Sequence, residues 1–302
     1  MTSTSLRQSD YGFFGPDSPT WQVWTAPTAL LGFQRAVVLE HFDPFLTAAV
    51  ADMAGIYTDP HLRLDHTFAY FLTVAVGDGP TAIAASDALM RMHAKATGIE
   101  PISGRRYSAN NPESQRWIHI TGWHSVLKCY ETYGPGPLSP AAESRYWADC
   151  ALAAELQTCD PASIPRSRAD VRAYFAEVRP RLCVSERAHQ GMHYLLRTPR
   201  ANGGLRLWAG SRLIAPPVIA SLPEWMRRLG GFDQPRLLDA AIRPATRVAM
   251  RIGRSPSVRL AVLRGLMPGT ARLFRQHLTA GEPARRETVT PAQVREREAA
   301  AR

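Results

Sequence analysis

The stretch LRLDHTFAYFLTVAV (residues 62–76) decides the fold. Leu64, Phe68, Phe71, Leu72 and Ala75 recur at the spacing of one buried helical stripe. Beside that stripe, Arg63, His66, Thr67 and Tyr70 recur at i, i+3, i+4 and i+7, so a guanidinium, an imidazole and two hydroxyls project together. Two readings stay open. The second face is either an ordinary solvated helix surface or a wall suited to an anionic or oxygen-containing ligand.

Outward from this helix the chain keeps the same period. Helices are predicted over 34–42, 45–57, 62–76, 81–97, 112–133, 140–158, 167–178, 180–197, 215–229, 234–252, 257–266 and 269–280. Hydroxyl caps support several starts, such as Ser139-Pro140 and Ser167. No segment sustains strand alternation, which makes the chain all-α. Residues 98–111, GIEPISGRRYSANN, read as an irregular loop, and 281–302 as a polar tail, frayed or a lone solvated helix. One multi-helix domain over 13–280 is expected.

Composition narrows the classes. With 302 residues, 45% of them apolar, the chain can bury a core large enough to enclose a cofactor, which excludes a disordered acidic tail and a disulfide-stapled miniprotein. Cys129, Cys150, Cys159 and Cys183 lack paired spacing, so reduced thiols and a cytoplasmic setting are expected. Behind Arg7 there is no apolar run of export-signal type, and no stretch is long enough to span a bilayer. The net charge of +10 sits at one end: residues before 200 carry 17 basic and 19 acidic side chains, those from 200 onward 19 and 7.

Further residues carry chemical potential. In 81–97, Ala82, Ala85, Ser86, Leu89, His93 and Ala96 align, so His93 points inward among small neighbours that admit a flat, bulky group. Its imidazole is either a satisfied core histidine or a ligand. In 112–133, His119, Trp123, Val126 and Tyr130 share a face, making His119 a second inward candidate with the same two readings, while His124 points elsewhere. Glu186, His189 and His193 could share a metal, but a di-iron bundle needs a second Glu-x-x-His, which is missing. Arg243, Arg247, Arg251 and Arg254 form a stripe that is either solvated or a weak peripheral contact with an anionic membrane. Without interleaved aromatics the stripe does not read as a nucleic-acid site.

The order of segments resembles the MpaB-like oxygenase family, whose catalytic domain is shared with bacterial latex clearing proteins (rubber oxygenases). The resemblance is carried by FGPDSPTWQVW (14–24), Arg63 through Thr67, RMHAKATG (91–98), Tyr107 to Pro112, Trp117-Ile118-His119, PLSPAAESRYWAD (137–149) and LPEWMRRLGG (222–231), over roughly residues 13 to 265. It implies an all-helical fold enclosing a b-type haem (iron protoporphyrin IX), and oxidative cleavage of carbon–carbon double bonds in isoprenoid chains by dioxygen. By position, it implies that His93 is the proximal iron ligand and that Arg63, His66 and Thr67 line the distal side, as catalytic residues. His66 stands where some rubber oxygenases have a lysine and could itself become a sixth ligand. Arg63, Thr67, Phe71, Arg91, His119 and Trp123 join His93 as expected haem-pocket residues, with Phe68, Phe71 and Trp123 as apolar walls.

The chain departs from the family where a Gln-x-x-His-Pro is common and Leu39-Glu40-His41-Phe42-Asp43-Pro44 stands instead. The expected partners are dioxygen and a hydrophobic small molecule inside the cell, with no nucleic acid. Two other readings remain: the same haem used for hydroxylation or peroxide chemistry, and a non-catalytic helical protein docking on membranes or acidic partners through its arginine-rich third.

Overall fold

A computed structural model describes residues 8–301; the Arg7 stretch read for an export signal lies outside the described residues. The chain opens with α1 (Pro19–Trp24), α2 (Ala29–Glu40), α3 (Pro44–Met53), the single turn α4 (Gly55–Thr58), α5 (Pro60–Val76) and α6 (Gly79–His93). An antiparallel hairpin, β1 (Thr97–Ile99) against β2 (Arg106–Ser108), leads into α7 (Pro112–Tyr133), α8 (Pro140–Ala153), α9 (Arg168–Val178) and α10 (Glu186–Leu196). Then come α11 (Arg200–Ser221), α12 (Glu224–Leu229), α13 (Arg236–Ile252), α14 (Pro256–Leu266), α15 (Pro268–Thr279) and α16 (Pro291–Ala300). Apart from that hairpin, the described residues form one all-helical domain.

One local device starts many of these helices: a short polar residue followed by proline. Ser18, Asp43, Asp59, Asn111 and Ser139 each accept a backbone N–H of the following first turn, while the proline at the next position lacks the N–H that would go unsatisfied there. α2 and α7 form the central pair. They approach so closely that a Cβ on Gly32 would lie 2.4 Å from the Val126 Cα, so only glycine fits. Around them an aromatic cluster fills the core: Trp24 stacks on Phe71 at 5.5 Å and meets Trp123 edge-on at 5.6 Å.

Several sequence expectations change. The 81–97 helix stops at His93, because Gly98 enters the hairpin facing Tyr107, whose ring leaves no room for a side chain there. The loop at 98–111 is therefore partly a hairpin, its turn held by Glu100, which accepts N–H bonds from Ile102 and Ser103. The 45–57 helix breaks at Ala54, which takes a left-handed conformation with φ of 52°. The 215–229 helix is two: α11, which runs through Pro216 and Pro217, and the short α12.

The largest correction concerns the C-terminal tail. Residues 281–302 read as frayed or as a lone solvated helix; a helix does form, α16, but the segment is docked, and 284–289 run beside the N-terminal segment, with Ala284, Arg285 and Val289 donating backbone bonds to Gln8, Ser9 and Gly12. α16 then docks on α6, burying Val289 and Val294 against Gly79. The buried valines outweigh the polar average of the segment.

All four cysteines are free; Cys129, Cys150 and Cys159 are buried and Cys183 is half-buried. No helix among the described residues is long and apolar enough to cross a membrane.

Candidate functional site

The two faces read from residues 62–76 both end against empty space, on opposite sides of α5. Leu64, Phe68 and Leu72 line an apolar cavity of about 310 Å3 shared with α2, α11, α13, α14 and α15. Arg63, His66, Thr67, Tyr70 and Phe71 line a second cavity of about 150 Å3. A smaller space of about 100 Å3 touches Arg63, Leu64 and Thr67 between them.

The second cavity gathers the chemistry. His93 reaches it from the last turn of α6, and α7 presents Gln115, Ile118, Gly122 and Val126. α2 contributes Phe33, Ala36, Val37 and Glu40. Met53 and Met92, both exposed, sit at its rim, and His66 is exposed at the same opening. At Gly122 an added Cβ would meet nothing within 4 Å, so the α7 backbone lies bare to the cavity.

Burial sets the electrostatics. His93 is half-buried, and desolvation, reinforced by the Arg63 charge, pulls its pKa down to about 4; the imidazole is neutral at physiological pH. Its Nδ1 lies 3.3 Å from the Gln115 side-chain nitrogen, which also donates to the Ala109 carbonyl at 2.5 Å. Glu40 is pushed up to about 8, because burial outweighs the opposing pull of the Arg63 charge and of the Thr121 hydroxyl. Arg63 is itself lowered by burial, with Glu40 acting against that shift. Thr67 donates its hydroxyl to the Arg63 carbonyl at 2.8 Å, which leaves the oxygen lone pairs open. Burial raises the Tyr70 phenol to about 12, so it stays protonated.

Of the residues expected from sequence, the structure brings Arg63, His66, Thr67, Phe71 and His93 to one cavity. Others lie elsewhere. His119 is buried away from the wall, with Nε2 donating to the Cys150 carbonyl at 2.7 Å and Nδ1 3.3 Å from the Gln157 amide nitrogen, so it is a satisfied core histidine. Trp123 packs on Trp24 and on Tyr146, with ring centroids 5.0 Å apart in the latter pair, and supports the wall from behind. Phe68 faces the apolar cavity. Arg91 is exposed, since two residues along a helix turn it about 200° from His93.

Glu186, His189 and His193 do not converge. The two imidazoles lie 4.1 Å apart, but His193 bonds to the Gly230 carbonyl and Glu186 accepts from Gln190. No group of three metal-ligating side chains occurs among the described residues. His41, in the departing Leu39–Pro44 stretch, donates to the Val37 carbonyl at 2.7 Å, and Asp43 caps α3.

Glu40 was not expected from the sequence. A signal existed, because Phe33, Ala36, Val37 and Glu40 recur at i, i+3, i+4 and i+7, placing one acid on an otherwise apolar stripe.

No curated protein and no solved structure matches this chain. A family model does match, over residues 21–255, described as the catalytic domain of the ER-bound oxygenases mpaB and B' and of rubber oxygenase. That span takes in most of α1, all of α2 through α13 and the whole lining of the second cavity, while the α14 and α15 walls of the apolar cavity lie beyond it. With so much of the chain covered, the protein belongs to this oxygenase catalytic-domain family.

Proposed function

We propose that this chain is a haem-dependent oxygenase that combines dioxygen with a hydrophobic, unsaturated small molecule in the cavity between α5, α6 and α7. One observation carries the reading: a neutral imidazole at His93 opens on the same apolar-walled space as Arg63, Thr67 and the high-pKa Glu40.

The donor set fits iron protoporphyrin. Neutral imidazole is a common metal ligand, and burial with the Arg63 charge keeps His93 in that form. The bare α7 backbone at Gly122, with Ala36, Ala49 and Ala109 on the walls, suits a flat group. The free space of about 150 Å3 is smaller than the roughly 300–1,000 Å3 of pockets that engulf drug-sized ligands, so entry requires the rim to part. Met53 and Met92 form that rim, and unbranched methionines repack at low cost. Bound at His93, the haem would supply the one-electron chemistry by which dioxygen reacts with an alkene.

The chain's own residues have separable tasks. Arg63 provides a fixed cation and hydrogen-bond donors for negative charge developing on oxygen. The Thr67 hydroxyl holds its orientation through the Arg63 carbonyl. Glu40, poised near pH 8, can take or return a proton at its carboxylate. His66 stands at the opening, able to donate or accept beside an entering ligand. Phe33, Phe71 and Ile118 hold the apolar substrate and exclude water.

The test is an absorption spectrum of untagged protein made with haem supplied, with pyridine haemochrome quantification. Expected are a Soret band, about one haem per chain, and loss of that band in His93→Ala. A colourless wild type refutes the cofactor; full haem content in His93→Ala refutes the ligand.

A further inference from the structure

α13 packs so lightly that Thr246 is its one buried residue. Leu237, Val248 and Ile252 fall on one side of it, at i, i+11 and i+15, and are 85%, 56% and 61% exposed. They do not stand alone. Ile252 lines the mouth of the 310 Å3 apolar cavity together with Leu213 of α11, which is 77% exposed, and Val258 and Val262 of α14. Three helices thus present one continuous apolar rim to the outside, and scattered single leucines would not need explanation whereas a shared rim does.

Positive charge borders this rim. Arg243, Arg247, Arg251 and Arg254 run along the adjoining side of α13 and past its end, and Arg212 neighbours Leu213. The acids of α12 and α13, Glu224 and Asp239, are already paired with Arg228 and Arg227. Among the described residues no carboxylate lies within ion-pair distance of Arg243, Arg247, Arg251 or Arg254. The excess of 19 basic over 7 acidic residues from 200 onward is concentrated in this third. Arg247 also donates to the Thr132 carbonyl at 2.9 Å, and Arg212 lies over the Trp208 ring while donating to the Thr198 carbonyl. An apolar strip with unpaired cations at its edge matches the two layers of a lipid surface: acyl chains beneath, phosphates above.

We propose that the face made by α11, α13 and α14 seats peripherally on an anionic lipid bilayer, with Leu213, Val248 and Ile252 in the acyl boundary and the arginines on the headgroup phosphates. No helix among the described residues is long and apolar enough to cross a membrane, and the attachment proposed here is peripheral, through this face. The cavity mouth then opens toward the bilayer, giving an apolar molecule leaving it an apolar wall to follow. The proposal does not depend on haem.

The full chain is floated with vesicles of phosphatidylcholine alone and with phosphatidylglycerol added. Expected is flotation with the anionic vesicles only, weakened by salt. Arg251→Gln and Arg254→Gln should each lower partitioning by about fivefold at low salt. Ile252→Asp should abolish it, with circular dichroism and melting unchanged because the side chain is exposed. Failure to float, equal flotation with neutral vesicles, or wild-type flotation of Ile252→Asp overturns the proposal. So does a concentration-dependent dimer that Ile252→Asp dissolves without any vesicle binding, since a second copy would then be the occupant. A colourless protein that floats leaves this inference standing while the haem assignment falls.

Discussion

The Gln115 side-chain nitrogen stands 3.3 Å from His93 Nδ1 and 2.5 Å from the Ala109 carbonyl oxygen. An amide nitrogen only donates, so Nδ1 accepts and the ring proton sits on Nε2. If His93 held iron through Nε2, that proton would pass to Nδ1, and the Gln115 side chain would have to move off the Ala109 carbonyl to present its oxygen to the ring, the arrangement that orients and strengthens metal-bound histidines. Gln115→Glu, which can only accept when ionised, should retain haem at least as tightly as wild type. Gln115→Leu should hold it about tenfold more weakly, as typical for loss of such a partner. Haem transfer to apomyoglobin measures both; a leucine variant that releases haem no faster than wild type contradicts the role.

Glu40 gives the haem-free protein a pH signature. Its folded pKa, about 8, lies above its ordinary 4.5 because burial favours the neutral acid. Its contribution to stability is therefore complete below pH 4.5 and is lost as pH rises through 8. Urea midpoints of wild type should fall relative to Glu40→Gln across that window. Parallel midpoint curves for the two proteins would show that Glu40 is not held neutral.

Asp65 ties the helix bearing the site to the C-terminal bundle. Buried on α5, it accepts backbone N–H bonds from Gly269 and Thr270 and the Thr270 hydroxyl, all at 2.7 Å, at the start of α15. Asp65→Ala leaves those donors unsatisfied and should cost about 2–4 kcal/mol. Asp65→Asn, which keeps one acceptor oxygen, should cost less. Calorimetric melting resolves the pair, and an alanine variant melting with wild type would remove the claim.

Gly122 separates stability from occupancy. Because a Cβ there meets open space, Gly122→Ala should stabilise the α7 helix by up to about 1 kcal/mol. Gly122→Leu should keep the fold while filling the cavity, with haem content falling well below one per chain. Normal haem content in the leucine variant would place the macrocycle elsewhere.

The sequence exposed this site unevenly, for geometric reasons. Arg63, His66 and Thr67 were legible because a single helix fixes which side chains share a face, and the same arithmetic put His93 inward. His119 was inward too, yet α7 has more than one inward face. Gln115, Ile118, Gly122 and Val126 meet the cavity, whereas His119, about 100° round, meets the Cys150 carbonyl. Which segment lies opposite a face is a tertiary fact. Glu40 was hidden at the end of an apolar run, and the docking of α16 was hidden because two valines, Val289 and Val294, decide it against a polar background.

Residues 8–12 and 284–300 together make a clasp. Arg295 grips Asp87 at 2.9 Å, and Val289 and Val294 cover Gly79, so the clasp closes over the helix whose last turn holds His93. Proteolytic nicking near Ala280 would unbuckle it, and the imidazole would feel a cut made almost two hundred positions away in the chain.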